Sequence, residues 1–305
     1  MRAVGFFEFG GPDVLQLLDL PQTQPGPGQV RVRVHAATVN PTDTLLRNGS
    51  RAQALSEVPP PHVPGMDVAG VIDAIGPDTT TDLSLGDAVM AMVNNRSSHG
   101  GYRESIVLSV DSVALIPKGV SLVEAATLPM NGLTAKQSLD QLALKPGQTL
   151  AVTGAAGCYG GYVIQLAKQA GLHVIADASP ADVALVRSFG ADTVVPRGKD
   201  IAAQIRQVVP NGVDALADGS YQCELTLGAV RDGGGYASVR GWSMAQRGIV
   251  CHATWVRQYD HRADLLRQLR QDVHDGVITL RVAATYAPEQ AAEAHRRLEA
   301  GGTRG

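Results

Sequence analysis

Apolar and polar residues alternate along Val30-Arg31-Val32-Arg33-Val34-His35-Ala36, the period of a half-buried strand. Pro21, Pro25, Gly26, Pro27 and Gly28 mark the loop before it. Val68–Gly76, interrupted by Gly70, predicts a second strand. Ala88–Val93, after the Gly86-Asp87 turn, predicts a third. Short strands set off by Pro and Gly make the first ~120 residues a β-rich, barrel-like region. The texture then changes. Ser121-x-x-Glu124 has the form of a capping box at a helix start. From Thr149 onward, strand and helix patterns alternate. Strands are expected at Thr149–Thr153, Leu172–Ala176, Thr193–Val195 and Val213–Leu216, each followed by a helix. That alternation predicts βαβ units and a parallel, doubly wound sheet. Tyr236–Val239 and Ile249–Ala253 read as last strands. Arg262–Asp275 and Pro288–Ala300 read as amphipathic helices.

The 305 residues suit about two domains. With 44% apolar and 18% charged residues and a mean hydropathy of zero, the composition is globular. Lys and Arg number 26 against 29 Asp and Glu, a net charge of −3. No basic excess points to nucleic acid or an anionic membrane. Cys158, Cys223 and Cys251 are far apart and form no C-x-x-C, so no structural zinc ribbon is expected. His35 and His99 lack paired metal-ligand spacing, and no metal site is expected. Glu8, Gly10, Gly11, Pro12 and Asp13 stand where a secretory leader needs an apolar run. Sparse cysteines fit a reducing compartment, so the expectation is cytoplasmic. Pro146–Ala167 carries no charge but holds five glycines; it reads as strand, turn and helix start, not as a membrane span.

The sharpest motif is Thr153-Gly154-Ala155-Ala156-Gly157-Cys158-Tyr159-Gly160-Gly161, directly after an apolar strand. A dinucleotide pyrophosphate needs close backbone approach and a helix N-terminus. Gly157 permits the approach, Gly160 permits tight helix–strand packing, and Ala155 stands at the first Gly of G-x-G-x-x-G. The loop opens a helix (Tyr162–Lys168) inside a ~30-residue βαβ unit, the context the fingerprint requires. A plain Gly-rich turn is the alternative. The next strand ends Asp177-Ala178-Ser179. An acid there favours NAD, whereas a small hydroxyl with a nearby Arg favours the 2′-phosphate of NADP. Asp177 argues for the first; Ser179 with Arg197 argues for the second. The cofactor-binding set is Ala155, Gly157, Tyr159, Gly160, Ser179, Arg197 and Ser238.

Several segments together resemble one family. They are Val39–Asp43, Val63–Val71, Leu85–Val89, Gly100–Glu104, Ala125–Pro129, Gly132–Ala135, the Gly loop, Gly190–Asp192 and Ala294–Glu299. Their order over nearly the whole chain resembles the zinc-independent medium-chain dehydrogenase/reductase superfamily, in its quinone oxidoreductase branch. The resemblance implies a GroES-like catalytic domain, 1–122 and 257–305, around a Rossmann domain, 123–256. It implies NADPH-linked reduction of a quinone or an activated C=C bond, with NADH as the other cofactor candidate. Zinc-bearing cousins carry Cys and His where this chain has Asn40 and Met66, which cannot hold Zn²⁺ as that pair does. By the same resemblance Asn40 lies near the nicotinamide, and Thr134 near its carboxamide or ribose; these are the expected catalytic residues. An Asn before Pro is also a turn former, and a helical Thr also bonds its own backbone. A homodimer through the Ile249–Val256 segment is implied as well. Leu45 departs from the family's substrate-facing Tyr, Cys158-Tyr159 from the usual Gly-Val, and Pro180-Ala181-Asp182 from a basic NADP pattern. No Tyr has Lys four residues on, which sets aside a short-chain reductase. No G-x-S-x-G suggests a hydrolase. The alternatives are an enoyl-thioester or biosynthetic ene-reductase, and a nucleotide-binding protein without turnover.

Overall fold

The structure is a computed structural model and describes residues 1–52, 58–96 and 98–305. It forms two compact units. The first comprises Met1–Met130, Asp260–His274 and Leu280–Gly305; the second comprises Asn131–Tyr259 and Asp275–Thr279.

In the first unit, β1 (Arg2–Gly5) and β2 (Gln16–Asp19) form an antiparallel pair. Next come β3 (Gln29–Ala37), α1 (Pro41–Arg47), β4 (Asp67–Ile75), β5 (Ala88–Met92), β6 (Ser105–Ser109) and β7 (Val113–Leu115). The five long-range strands make an antiparallel sheet in the order β6-β3-β4-β5-β7. The alternation in β3 has a direct cause: Val30 and Val32 are fully buried, packed with Val68, Ile72, Val89 and Ile106. The capping box is real. Ser121 Oγ accepts from the Glu124 N–H and Glu124 Oε2 accepts from the Ser121 N–H, opening the short α2 (Leu122–Ala125).

The chain enters the second unit within α3 (Pro129–Leu142). There follow β8 (Thr149–Thr153), α4 (Cys158–Gln169), β9 (His173–Ala178), α5 (Val183–Ser188), β10 (Thr193–Pro196) and α6 (Ile201–Val208). Then come β11 (Val213–Asp218), α7 (Glu224–Leu227), β12 (Val230–Val239) and β13 (Val250–Thr254). The sheet is parallel throughout, in the order β10-β9-β8-β11-β12-β13. Leu150, Ala151, Val152, Ala215, Leu216 and Ala217 are all buried, because helices cover both faces of such a sheet. The strand order reverses between β8 and β11, the switch point at which open α/β sheets bind ligands. Two helices, α8 (Ala263–His274) and α9 (Ala291–Glu299), belong to the first unit.

Two element starts differ by four residues or more from the sequence reading. β12 starts at Val230 rather than Tyr236. Its first half, Arg231-Asp232-Gly233-Gly234-Gly235, has no apolar period to announce it; close backbone approach holds it, since a Cβ on Gly234 would lie 2.7 Å from the Asp214 carbonyl oxygen. Helix α4 starts at Cys158, not Tyr162, so Tyr159 and Gly160 lie in its first turn. No helix of the described residues is long and apolar enough to cross a membrane. Pro146–Ala167 resolves into β8, the Gly loop and most of α4.

Candidate cofactor-binding site

The Gly loop leaves β8 at the switch point. Gly154 takes a positive φ of 65°, and a Cβ there would lie 2.9 Å from the Gly219 backbone. Glycine is therefore required to turn the chain beside the end of β11. The Gly157 N–H donates to the Gly154 carbonyl at 3.0 Å and closes the turn. Gly160 sits where α4 crosses the loop: a Cβ would come within 2.4 Å of the Gly154 oxygen and 2.7 Å of Ala155 Cα. Gly157 is different. Its backbone is ordinary extended (φ −75°, ψ 170°), and a Cβ would meet only the Gly154 oxygen, at 3.3 Å. Fold geometry demands glycine at 154 and 160, whereas at 157 the missing side chain leaves space at the N-terminus of α4. That helix end carries about half a positive charge from its peptide dipoles.

Beneath the loop lies Asp177, 1% exposed. Its Oδ1 accepts from the Ala155 N–H at 3.0 Å, and its Oδ2 from Arg197 Nε at 3.2 Å. This carboxylate braces the loop and is neither a solvated strand end nor a helix cap. Arg197 leans on it from the end of β10 with its side chain 40% exposed. The Arg197 N–H also donates to the Ala178 carbonyl, next to half-buried Ser179, whose Oγ donates to Asp182. Ser179 and Arg197 thus stand on the carboxyl ends of neighbouring strands.

Ser238 is fully buried beside Asp218 in the β11–β12 register, its hydroxyl donating to the Val239 carbonyl. Tyr159, 9% exposed, turns its ring onto Gly219 and its hydroxyl onto Ser138. Thr134 is 7% exposed on α3. The sequence reading missed Asp218. Its Oδ1 accepts from Thr153 Oγ1 (2.7 Å) and the Ser220 N–H, and its Oδ2 from Tyr236 and the Cys223 N–H (both 2.8 Å). It ties the end of β8 to the loop after β11. An Asp at a strand end carries no sequence signal for that task.

The first unit holds a second polar cluster. Asn40 precedes α1, 3% exposed. Its Nδ2 donates to Thr38 Oγ1 (2.9 Å) and Asp67 Oδ2 (2.7 Å), which fixes the amide plane. Asp43 accepts from the N–H groups of Asn40 and Gly65, both at 2.8 Å. Burial pushes Asp43 up to about 7 and Asp67 up to about 6, against the pull of these hydrogen bonds. Nearby, Arg47 pairs with Glu299 and donates to His295 Nδ1 at 3.5 Å. A guanidinium can only donate, so Nδ1 is the unprotonated nitrogen and Nε2–H donates to the Tyr102 hydroxyl at 3.2 Å. Met66 is 2% exposed. The amide of Asn40 and the thioether of Met66 lack the thiolate and imidazole chemistry of a zinc site.

The residues of the second unit fit a phosphorylated dinucleotide. Gly157 offers the cradle, and Asp177 is already engaged by Ala155 and Arg197 rather than turned to a ribose.

Comparison with known proteins agrees with this architecture. Residues 26–118 match the alcohol dehydrogenase GroES-like domain, and residues 189–305 match a zinc-binding dehydrogenase domain. The second match excludes positions 40 and 66. An NADPH-dependent alkenal/one oxidoreductase of the Arabidopsis thaliana chloroplast is 32% identical over 251 residues, 79% of this chain and 63% of that protein. A quinone oxidoreductase of Homo sapiens is 37% identical over 182 residues, 58% of this chain and 53% of that protein. The chain thus spans less than two thirds of either relative. The crystal structure of an NAD-dependent alcohol dehydrogenase is 30% identical with a TM-score of 0.85, over 100% of this chain and 98% of that one. The chain belongs to the medium-chain dehydrogenase/reductase superfamily.

Proposed function

We propose that this chain is an NADPH-dependent, metal-free reductase that passes hydride to a quinone or to an activated C=C bond. The observation that carries the reading is the Gly loop at the switch point, with Gly157 as the N-cap of α4, where an added Cβ would meet only the Gly154 oxygen. Preference for NADPH over NADH is supported by Asp177. A carboxylate that selects NAD accepts from the ribose hydroxyls, but this one is spent on the Ala155 N–H and on Arg197. Arg197 uses only its Nε on Asp177 and its side chain is 40% exposed, so its terminal N–H groups are assigned to a 2′-phosphate beside Ser179.

Bound NADPH supplies the hydride. The chain's own residues bind, orient and keep water out. The α4 N-terminus holds the pyrophosphate, and Thr134 is assigned to the nicotinamide carboxamide or ribose. Asn40 is assigned to the ring as a polar group held in one orientation by Thr38 and Asp67. Asp43 and Asp67 are committed to backbone and amide donors, and Tyr102 is buried with its phenol held well above its ordinary range by that burial, a poor proton donor. The proton is therefore assigned to water, and positioning supplies most of the rate. Asn40 and Met66 support metal-free chemistry. A homodimer through β13 is part of the reading: it is the outermost strand of its sheet, and its Val250 is 54% exposed. Cytoplasmic residence is supported by the sparse cysteines, which form no disulfide among the described residues.

The test is NADPH oxidation, followed by absorbance, against panels of quinones, enones and enoyl-thioesters, with and without a zinc chelator. Turnover with a quinone or enone, unchanged by the chelator, is expected. Turnover confined to enoyl-thioesters would move the assignment to an ene-reductase. Binding without turnover on any panel, or activity lost to the chelator, would contradict the reading.

A further inference from the structure

Tyr159 fills a place that a phosphate loop does not need filled. It lies in the first turn of α4, with its ring packed against Gly219, where an added Cβ would fall 2.7 Å from the ring. Its hydroxyl meets Ser138 Oγ on α3 at 2.8 Å. Counting protons gives the direction. Ser138 has one proton, and its Oγ lies 3.0 Å from the Thr134 carbonyl, which can only accept. Ser138 therefore donates to Thr134, and Tyr159 donates to Ser138. Thr254 Oγ1 stands 3.3 Å from the same Oγ, but its proton goes to Gln141 Oε1 at 2.9 Å. The outcome is a directed chain, Tyr159 to Ser138 to the backbone of Thr134, wholly within the second unit. Ser138 is fully buried, so no water stands in for a lost partner. Burial pushes the Tyr159 phenol up, which keeps it a donor.

We propose that the Tyr159–Ser138 hydrogen bond is a positioning link: it fixes the pyrophosphate loop against the turn of α3 that carries Thr134, and so acts on the nicotinamide half of the cofactor. The proposal rests on the reading that this loop binds NADPH. The ring alone would serve packing.

The test compares Tyr159→Phe, Ser138→Ala and the double variant with the wild type. Each is titrated with NADPH and with adenosine 2′-phosphate 5′-diphosphate, which has the pyrophosphate but neither the nicotinamide nor its ribose. For Tyr159→Phe we expect NADPH affinity to fall about five-fold, the equivalent of ~1 kcal/mol at 1.4 kcal/mol per tenfold. Affinity for adenosine 2′-phosphate 5′-diphosphate should stay within about two-fold, because the loop itself is intact. The double variant should bind NADPH no worse than Ser138→Ala, since that single variant already breaks the Tyr159–Ser138 bond. Equal losses for the two ligands, an unchanged NADPH affinity, or a double variant equal to the product of the singles would overturn the link. A wild type that binds neither ligand would overturn the underlying reading and the link together. A wild type that binds both while Tyr159→Phe behaves like it would overturn the link alone.

Discussion

At His295 the imidazole is fully buried between Arg47 and Tyr102. Burial, with the Arg47 charge second, holds its pKa down at about 4 from an ordinary 6.5. The unfolded chain therefore binds a proton that the folded chain refuses between these values. Stability from His295 is complete above about 6.5 and is lost as pH falls toward 4, by about 3 kcal/mol. Asp43 and Asp67 act the other way. Their raised values favour the folded state below 3.8, and that contribution is lost as pH rises through about 6 and about 7. Replacing His295→Gln should flatten the acid loss. Urea midpoints for wild type and variant at pH 4.5 and pH 7 check this: the gap between them should shrink or reverse at the acid pH. Parallel pH dependence would contradict the assignment. Single residues also mark where sequence reading stops. Pattern located Asp177 and Arg197 but not their pairing under the loop, which requires two strand ends to be brought together in space. Tyr159 was legible as an oddity, yet only the three-dimensional contact with Ser138 says what its hydroxyl does.

Elements were legible wherever one face is buried and the other is not, or wherever a strand is apolar throughout. β3, β4, β5, β8, β9 and β11 follow from those patterns, as do α8 and α9. The first half of β12 does not, because glycines carry no period and backbone proximity alone holds them in the sheet. β13 is legible as a strand, but its place at the sheet edge is not, since strand order is a property of the sheet and not of the segment. That edge carries the dimer proposal. Light scattering should return about twice the 31.9 kDa chain mass. His252→Pro, which removes an N–H from β13, should return the single-chain mass with the far-ultraviolet spectrum retained. A wild type at the single-chain mass would contradict it.

For the whole molecule, the change of texture from short strands to strand–helix alternation announced a β-rich part and a parallel α/β part. The structure contains one unit with an antiparallel five-stranded sheet and one with a parallel six-stranded sheet. The chain leaves the first unit at Met130, within α3, where the sequence offers no break in a continuous helix. Function was legible to the extent that one loop, Thr153 to Gly161, combines glycine spacing with a strand before and a helix after. The division of labour among its glycines needed coordinates: 154 and 160 are demanded by packing, whereas a Cβ at 157 would meet only the Gly154 oxygen, and 157 is the one proposed to face a ligand. The most direct test follows from that division. The wild type and Gly157→Leu would each be titrated with NADPH and NADH by nicotinamide fluorescence. The wild type should bind NADPH at least about tenfold more tightly than NADH, the equivalent of ~1.4 kcal/mol, and Gly157→Leu should lose both while keeping its fold by circular dichroism. Undiminished NADPH binding by Gly157→Leu, or no binding of either cofactor by the wild type, would contradict the account.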